Sequence, residues 1–186
     1  MAEESGSRWS AVAAAFTAVV AAGALAFAGI NAATAAPSAA PPGTFYAPEE
    51  MLEIWAKDTA SFPLPLAPGI EWPENPPAFM TAEDVMNEEG LSGITAAFYW
   101  LCSWEDAYIT TSEALEGSQV DPAAKAAAVS SLRSFASLPI VQKRFIGSAE
   151  WAAVIVPAAK SGDIEAIKLD YRSNCGIYSA ENGRVY

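Results

Sequence analysis

The stretch Ile94–Glu116, ITAAFYWLCSWEDAYITTSEALE, constrains the fold of this chain more than any other. Read as a helix, it places Ile94, Leu101, Tyr108 and Leu115 in one row at intervals of seven. Leu91, Phe98, Cys102 and Ile109 form a second apolar row beside it. With Phe98, Tyr99, Trp100, Trp104 and Tyr108 among its side chains, the first half is apolar on nearly every side. Such a helix is expected to be a buried centre with the other elements wrapped around it.

The chain has 186 residues, of which the first forty or so do not read as globular. The roughly 140 that remain suit one domain with one core. Trp9–Ile30 runs for twenty-two residues without a charge. As a helix it would measure about 33 Å, enough for a hydrocarbon core of about 30 Å. Arg8 precedes it and the next base is Lys57, so the positive-inside rule places the N-terminus in the cytoplasm and the domain outside. Ala14, Ala18, Ala22 and Ala26 recur at every fourth position, a small-residue stripe suited to close packing between membrane helices. The alternative is a secretory signal cut near Ala35, where Ala33-Thr34-Ala35 has the small-x-small pattern of a cleavage site. Under both readings the domain is exported.

Export gives the cysteines a meaning. There are two, Cys102 and Cys175, with no CxxC spacing and no histidine anywhere. An isolated pair in an oxidising space is expected to form one disulfide.

From Pro37 to Pro77 lie ten of the thirteen prolines. The first of them read as a stiff tether, and Phe62–Phe79 as an irregular strap laid on the core, because proline withholds backbone donors. Pro48-Glu49-Glu50 predicts a short helix ending near Ala60, with Met51, Ile54 and Trp55 on its apolar face. Thr81 and Asp84 resemble a capping box that opens a short acidic helix ending at Gly90. Asp121-Pro122 caps a helix with Val129, Leu132, Phe135 and Ala136 on one face. Short helices are expected over Ile140–Ile146 and over Ala149–Lys160, the latter kinked or ended by Pro157. Asp163 caps a last helix whose row Ile164, Ile167, Tyr171 runs on to Cys175. Asn182-Gly183 marks a tight turn.

The sequence thus predicts a mainly α architecture in four parts. Residues 1–8 are a cytoplasmic N-terminus, 9–36 a transmembrane anchor or signal segment, 37–47 a Pro/Ala-rich tether, and 48–186 a disulfide-closed helical domain outside the membrane.

Functionally, the sequence excludes more than it assigns. The absence of histidine removes Ser-His and Cys-His catalysis, histidine-bound zinc or copper, and histidine-ligated haem. There is no P-loop and no Gly-x-Gly-x-x-Gly, so neither nucleotide nor other cofactor is expected. From Phe45 to Val120 there are fourteen acids against the single base Lys57; from Asp121 onward, six acids against eight bases. A surface of that sign repels nucleic acid. It reads first as a solubilising face partly paired with the basic half, and second as a docking surface for a basic partner. Glu83, Asp84, Asn87, Glu88 and Glu89 offer oxygen ligands to calcium but lack EF-hand spacing, so no metal site is assigned. Glu105 and Asp106, beside Trp104, could include a general acid, though they read first as the point where the central helix turns toward water. Trp100 and Trp104, with Glu83, Asp84, Glu88 and Glu89, are the candidate partner surface. No catalytic residue is assigned.

The function expected by elimination is non-enzymatic: an accessory or interaction subunit, membrane-anchored and facing outward, of a larger bacterial membrane or cell-envelope assembly. Its expected partners are the membrane and other membrane-protein subunits. The alternative is a small secreted enzyme using two carboxylates on cell-wall glycan.

Overall fold

A computed structural model describes residues 43–113 and 121–186. The proposed span Trp9–Ile30, its alanine stripe and the tether up to residue 42 lie outside the described residues. Among those described, no helix is long and apolar enough to cross a membrane.

The described part is mainly helical, with seven α-helices and one two-stranded ladder. Helix α1 is Met51–Ala60, entered through a 3₁₀ turn at Pro48–Glu50 where proline leads and acids follow. Helix α2, Leu91–Glu113, is the expected central element. Then come α3 (Pro122–Phe135), α4 (Pro139–Arg144), α5 (Ser148–Ser161), α6 (Ile164–Asn174) and α7 (Gly176–Asn182). Helix α2 packs against α1, α3, α4, α6 and α7, while α5 closes the far side against α3 and α6. Fourteen residues of α2 are buried, on all sides of the helix, as its apolar first half requires.

The strap explains how so many tryptophans can be enclosed. Prolines leave the carbonyls of Phe62–Phe79 without neighbouring donors, and indole is a donor with no acceptor. The two needs meet: Trp100 Nε1 donates to Pro65 O at 2.7 Å, Trp104 Nε1 to the same oxygen at 3.1 Å, and Trp55 Nε1 to Pro73 O at 2.8 Å. Ala67 N donates to Ser103 Oγ at 3.2 Å. Phe62, Leu64, Leu66, Ile70 and Trp72 rest on the core beneath, whereas Phe79 is exposed.

Asp121 caps α3 through Ala123 N at 2.9 Å and Ala124 N at 3.3 Å; Asp163 caps α6 through Ala166 N at 3.1 Å. One expectation fails. Residues 81–90 form turns and a strand, not an acidic helix: Asp84 sits at φ 63°, outside the helical region. Strand β2 (Asn87–Glu88) instead pairs antiparallel with β1 (Phe45–Tyr46). Helix α5 covers the expected Ala149–Lys160 with Pro157 inside it, and stops at Gly162 in the left-handed conformation. The tight turn at Asn182-Gly183 is the end of α7, with Gly183 as its left-handed cap.

Candidate functional site

Cys102 on α2 and Cys175 at the junction of α6 and α7 are joined as a disulfide across 73 residues. Both are buried, and the pair fastens the central helix to the C-terminal helices. One turn beyond Cys102 the chain places two carboxyl groups on the same face, Glu105 and Asp106, and both are buried. This corrects the expectation that they mark a turn toward water: α6 and α7 cover that side of α2, and the exposed acid is Glu113 at the helix end, beside Lys168.

Glu105 is wholly enclosed. Its Oε2 lies 3.3 Å from Cys175 Sγ, a sulfur that carries no proton while the disulfide is intact. Its Oε1 meets no donor. The next polar group is the carboxyl of Asp170 on α6, and two carboxyls share a hydrogen bond only if one holds a proton. Burial, and then the neighbouring Asp170 carboxyl, push the Glu105 carboxyl well above the usual range. Asp170 is better provided: its Oδ2 accepts from Trp151 Nε1 at 2.8 Å and its Oδ1 from Asn174 Nδ2 at 3.0 Å. It is only partly buried, so this polar line runs from the disulfide to the surface.

Asp106 gathers the C-terminal segment. Tyr178 donates to its Oδ2 at 2.8 Å, Tyr186 donates to its Oδ1, Thr110 donates to Oδ1 at 3.3 Å, and Arg184 Nε stands 3.5 Å from Oδ2. Burial, then hydrogen bonding to Asp106, raises the Tyr186 phenol to about 12 and Tyr178 still further. Tyr171 is raised by burial and the nearby Asp106 charge. The phenols of Tyr171, Tyr178 and Tyr99 lie in edge-to-face succession beside the disulfide.

The sequence-predicted surface divides. Glu83, Asp84, Glu88 and Glu89 are exposed. Trp100 and Trp104 are not: at 1% and 8% exposure they belong to the core, because the strap lies over them. The oxygen cluster is also broken up. Asn87 turns inward to donate to Met80 O at 2.9 Å, and Glu88 pairs with Arg144 at 2.6 Å. Ligand atoms of Cys102, Glu105 and Cys175 lie within 4.8 Å of one another, but the bonded sulfurs have no thiolate to offer a metal.

The neighbours of the disulfide were the part the sequence reading missed. The signal was there in the spacing: once Cys102 and Cys175 are paired, Glu105 and Asp106 lie three and four positions along one helix, and Tyr171 four positions before Cys175. No protein-family model, curated protein or solved structure matches the chain.

Proposed function

We propose that this chain is a non-enzymatic extracytoplasmic protein, held at the cytoplasmic membrane by residues 9–36, that serves as an accessory subunit of a larger membrane or cell-envelope assembly. The observation that carries this reading is the Cys102–Cys175 bond, since buried disulfides of this kind persist in oxidising compartments. The disposition of the carboxylates supports it. Glu105 and Asp106, the acids best placed for catalysis by sequence, are buried, and Asp106 is held by the protein's own Tyr178. The outward features are acidic and apolar together: Glu49, Glu83, Asp84 and the exposed Met86 line an open cleft of about 520 Å³. That combination suits a basic partner surface with an apolar anchor.

Crosslinking and mild-detergent purification from native membranes test the reading. The chain should copurify with a multi-span partner, and replacing Ala14, Ala18, Ala22 and Ala26 by leucine, or Glu83 and Asp84 by lysine, should weaken the association. Recovery of the chain alone, in a soluble fraction, would contradict it.

A further inference from the structure

We propose that Glu105 and Asp170 form a proton relay for the Cys102–Cys175 pair, making this disulfide a reversible couple that an external dithiol opens in the folded protein. Three observations combine. Glu105 is enclosed and lies with Oε2 3.3 Å from Cys175 Sγ. Asp170, beside it, reaches the partly exposed surface of α6 and is held in place by Trp151 and Asn174. Finally, a surface cleft of about 240 Å³ reaches Cys175, lined by Tyr171, Arg172, Gly176, Ser179 and Tyr186 among others. Gly176, which lines the same cleft, has nothing within 4 Å of where a Cβ would stand. Arg172, whose charge favours an incoming thiolate, also lines this cleft.

The chemistry balances with a dithiol as reductant. Its thiolate, having lost a proton to water, attacks Cys175 Sγ; the new S–S bond forms as the Cys175–Cys102 bond breaks, and Cys102 Sγ leaves with the electron pair. Glu105, whose carboxyl lies within 4.8 Å of that sulfur, supplies its proton and is reprotonated from water through Asp170. The second thiol of the reductant, deprotonated in turn, attacks its own sulfur in the mixed disulfide. Cys175 Sγ departs and takes the second proton from Glu105. The reductant ends as a disulfide, two electrons poorer, and the protein as a dithiol. Oxidation by a disulfide-bearing partner runs the same steps backward, with Glu105 receiving the protons.

The test is the rate of reduction of the full chain by dithiothreitol, read by alkylation and mass, across pH and in urea below the unfolding transition. Wild-type reduction should be nearly independent of urea in that range, because it proceeds in the folded state. Glu105→Gln, which keeps the shape, should slow it roughly 10²-fold. After correction for the thiolate fraction of the reductant, the wild-type rate should fall as Glu105 ionises, while the variant shows no such step. Asp170→Asn should slow the reaction less. A merely structural carboxyl would leave the pH profile of the two proteins parallel. Equal rates in wild type and Glu105→Gln, or wild-type reduction with the urea dependence of global unfolding, would overturn the proposal.

Discussion

Replacing Glu105 by glutamine should make the protein more stable at neutral pH, although it removes a charged residue type from the core. In the unfolded chain the Glu105 carboxyl ionises near its ordinary value of 4.5, whereas burial and Asp170 hold it protonated well above that in the fold. Above pH 4.5 the unfolded state therefore binds fewer protons than the folded one, and stability falls as pH rises. The stabilisation from this group is complete below 4.5 and is lost up to the folded value, where both states are ionised and the loss levels off. The slope is about 1.36 kcal/mol per pH unit. Glutamine needs no proton, keeps the shape, and can donate its amide to Asp170. The difference between the two proteins should thus grow as pH rises above 4.5, by no more than about 1.36 kcal/mol per unit, for as long as the folded carboxyl keeps its proton. Urea unfolding followed by tryptophan fluorescence at pH 4, 5, 6 and 7 measures it, and all other titrating groups cancel between the pair. A difference that stays constant with pH would mean that Glu105 titrates as in the unfolded chain, and the account of its surroundings would be wrong.

Replacing both Cys102 and Cys175 by alanine should cost about 4 kcal/mol in urea unfolding, the chain-entropy value for a loop of 73 residues, with a steeper denaturant slope because the unfolded chain expands; a loss under about 1 kcal/mol would refute the loop argument. Tyr178→Phe, which leaves Asp106 Oδ2 short of its 2.8 Å donor, should destabilise by about 1–3 kcal/mol, with no loss observed if water replaces the phenol. Gly90→Ala should cost at least about 1 kcal/mol, since Gly90 sits at φ +84° and a Cβ would fall 2.9 Å from Arg144 Nε; an unchanged melting temperature would contradict that packing. In an alkaline titration followed by phenolate absorbance, Tyr171, Tyr178 and Tyr186 should stay protonated past their ordinary value of 10.0. Because their folded values are raised, stability should hold up to pH 10 and fall above it.

Much of this fold was legible because its signals are local. Proline next to Asp121, an aspartate before Ile164 and the all-round apolar face of α2 each specify an element without reference to the rest of the chain. The cysteine rows were legible because helical spacing carries Ile167 and Tyr171 on to Cys175. Where the reading failed, tertiary context decided. Residues 81–90 carry helix-starting residues, yet pairing with Phe45–Tyr46 and the inward turn of Asn87 hold them as a strand. Trp100 and Trp104 read as surface candidates because nothing local reveals that Pro65 O, thirty-five residues away from Trp100, receives both indoles. Glu105 and Asp106 looked like a solvated edge because acids at a helix surface usually are; their covering, α7 and the C-terminal tyrosines, arrives more than seventy residues later.

The proposed extracytoplasmic role rests on the native protein carrying the Cys102–Cys175 bond. Thiol alkylation at the moment of lysis, followed by mass analysis with and without reduction, tests it most directly. Both cysteines should escape the reagent and be recovered as one crosslinked peptide pair, releasing two thiols only after reduction. Quantitative alkylation of both in the freshly lysed cell would contradict the account.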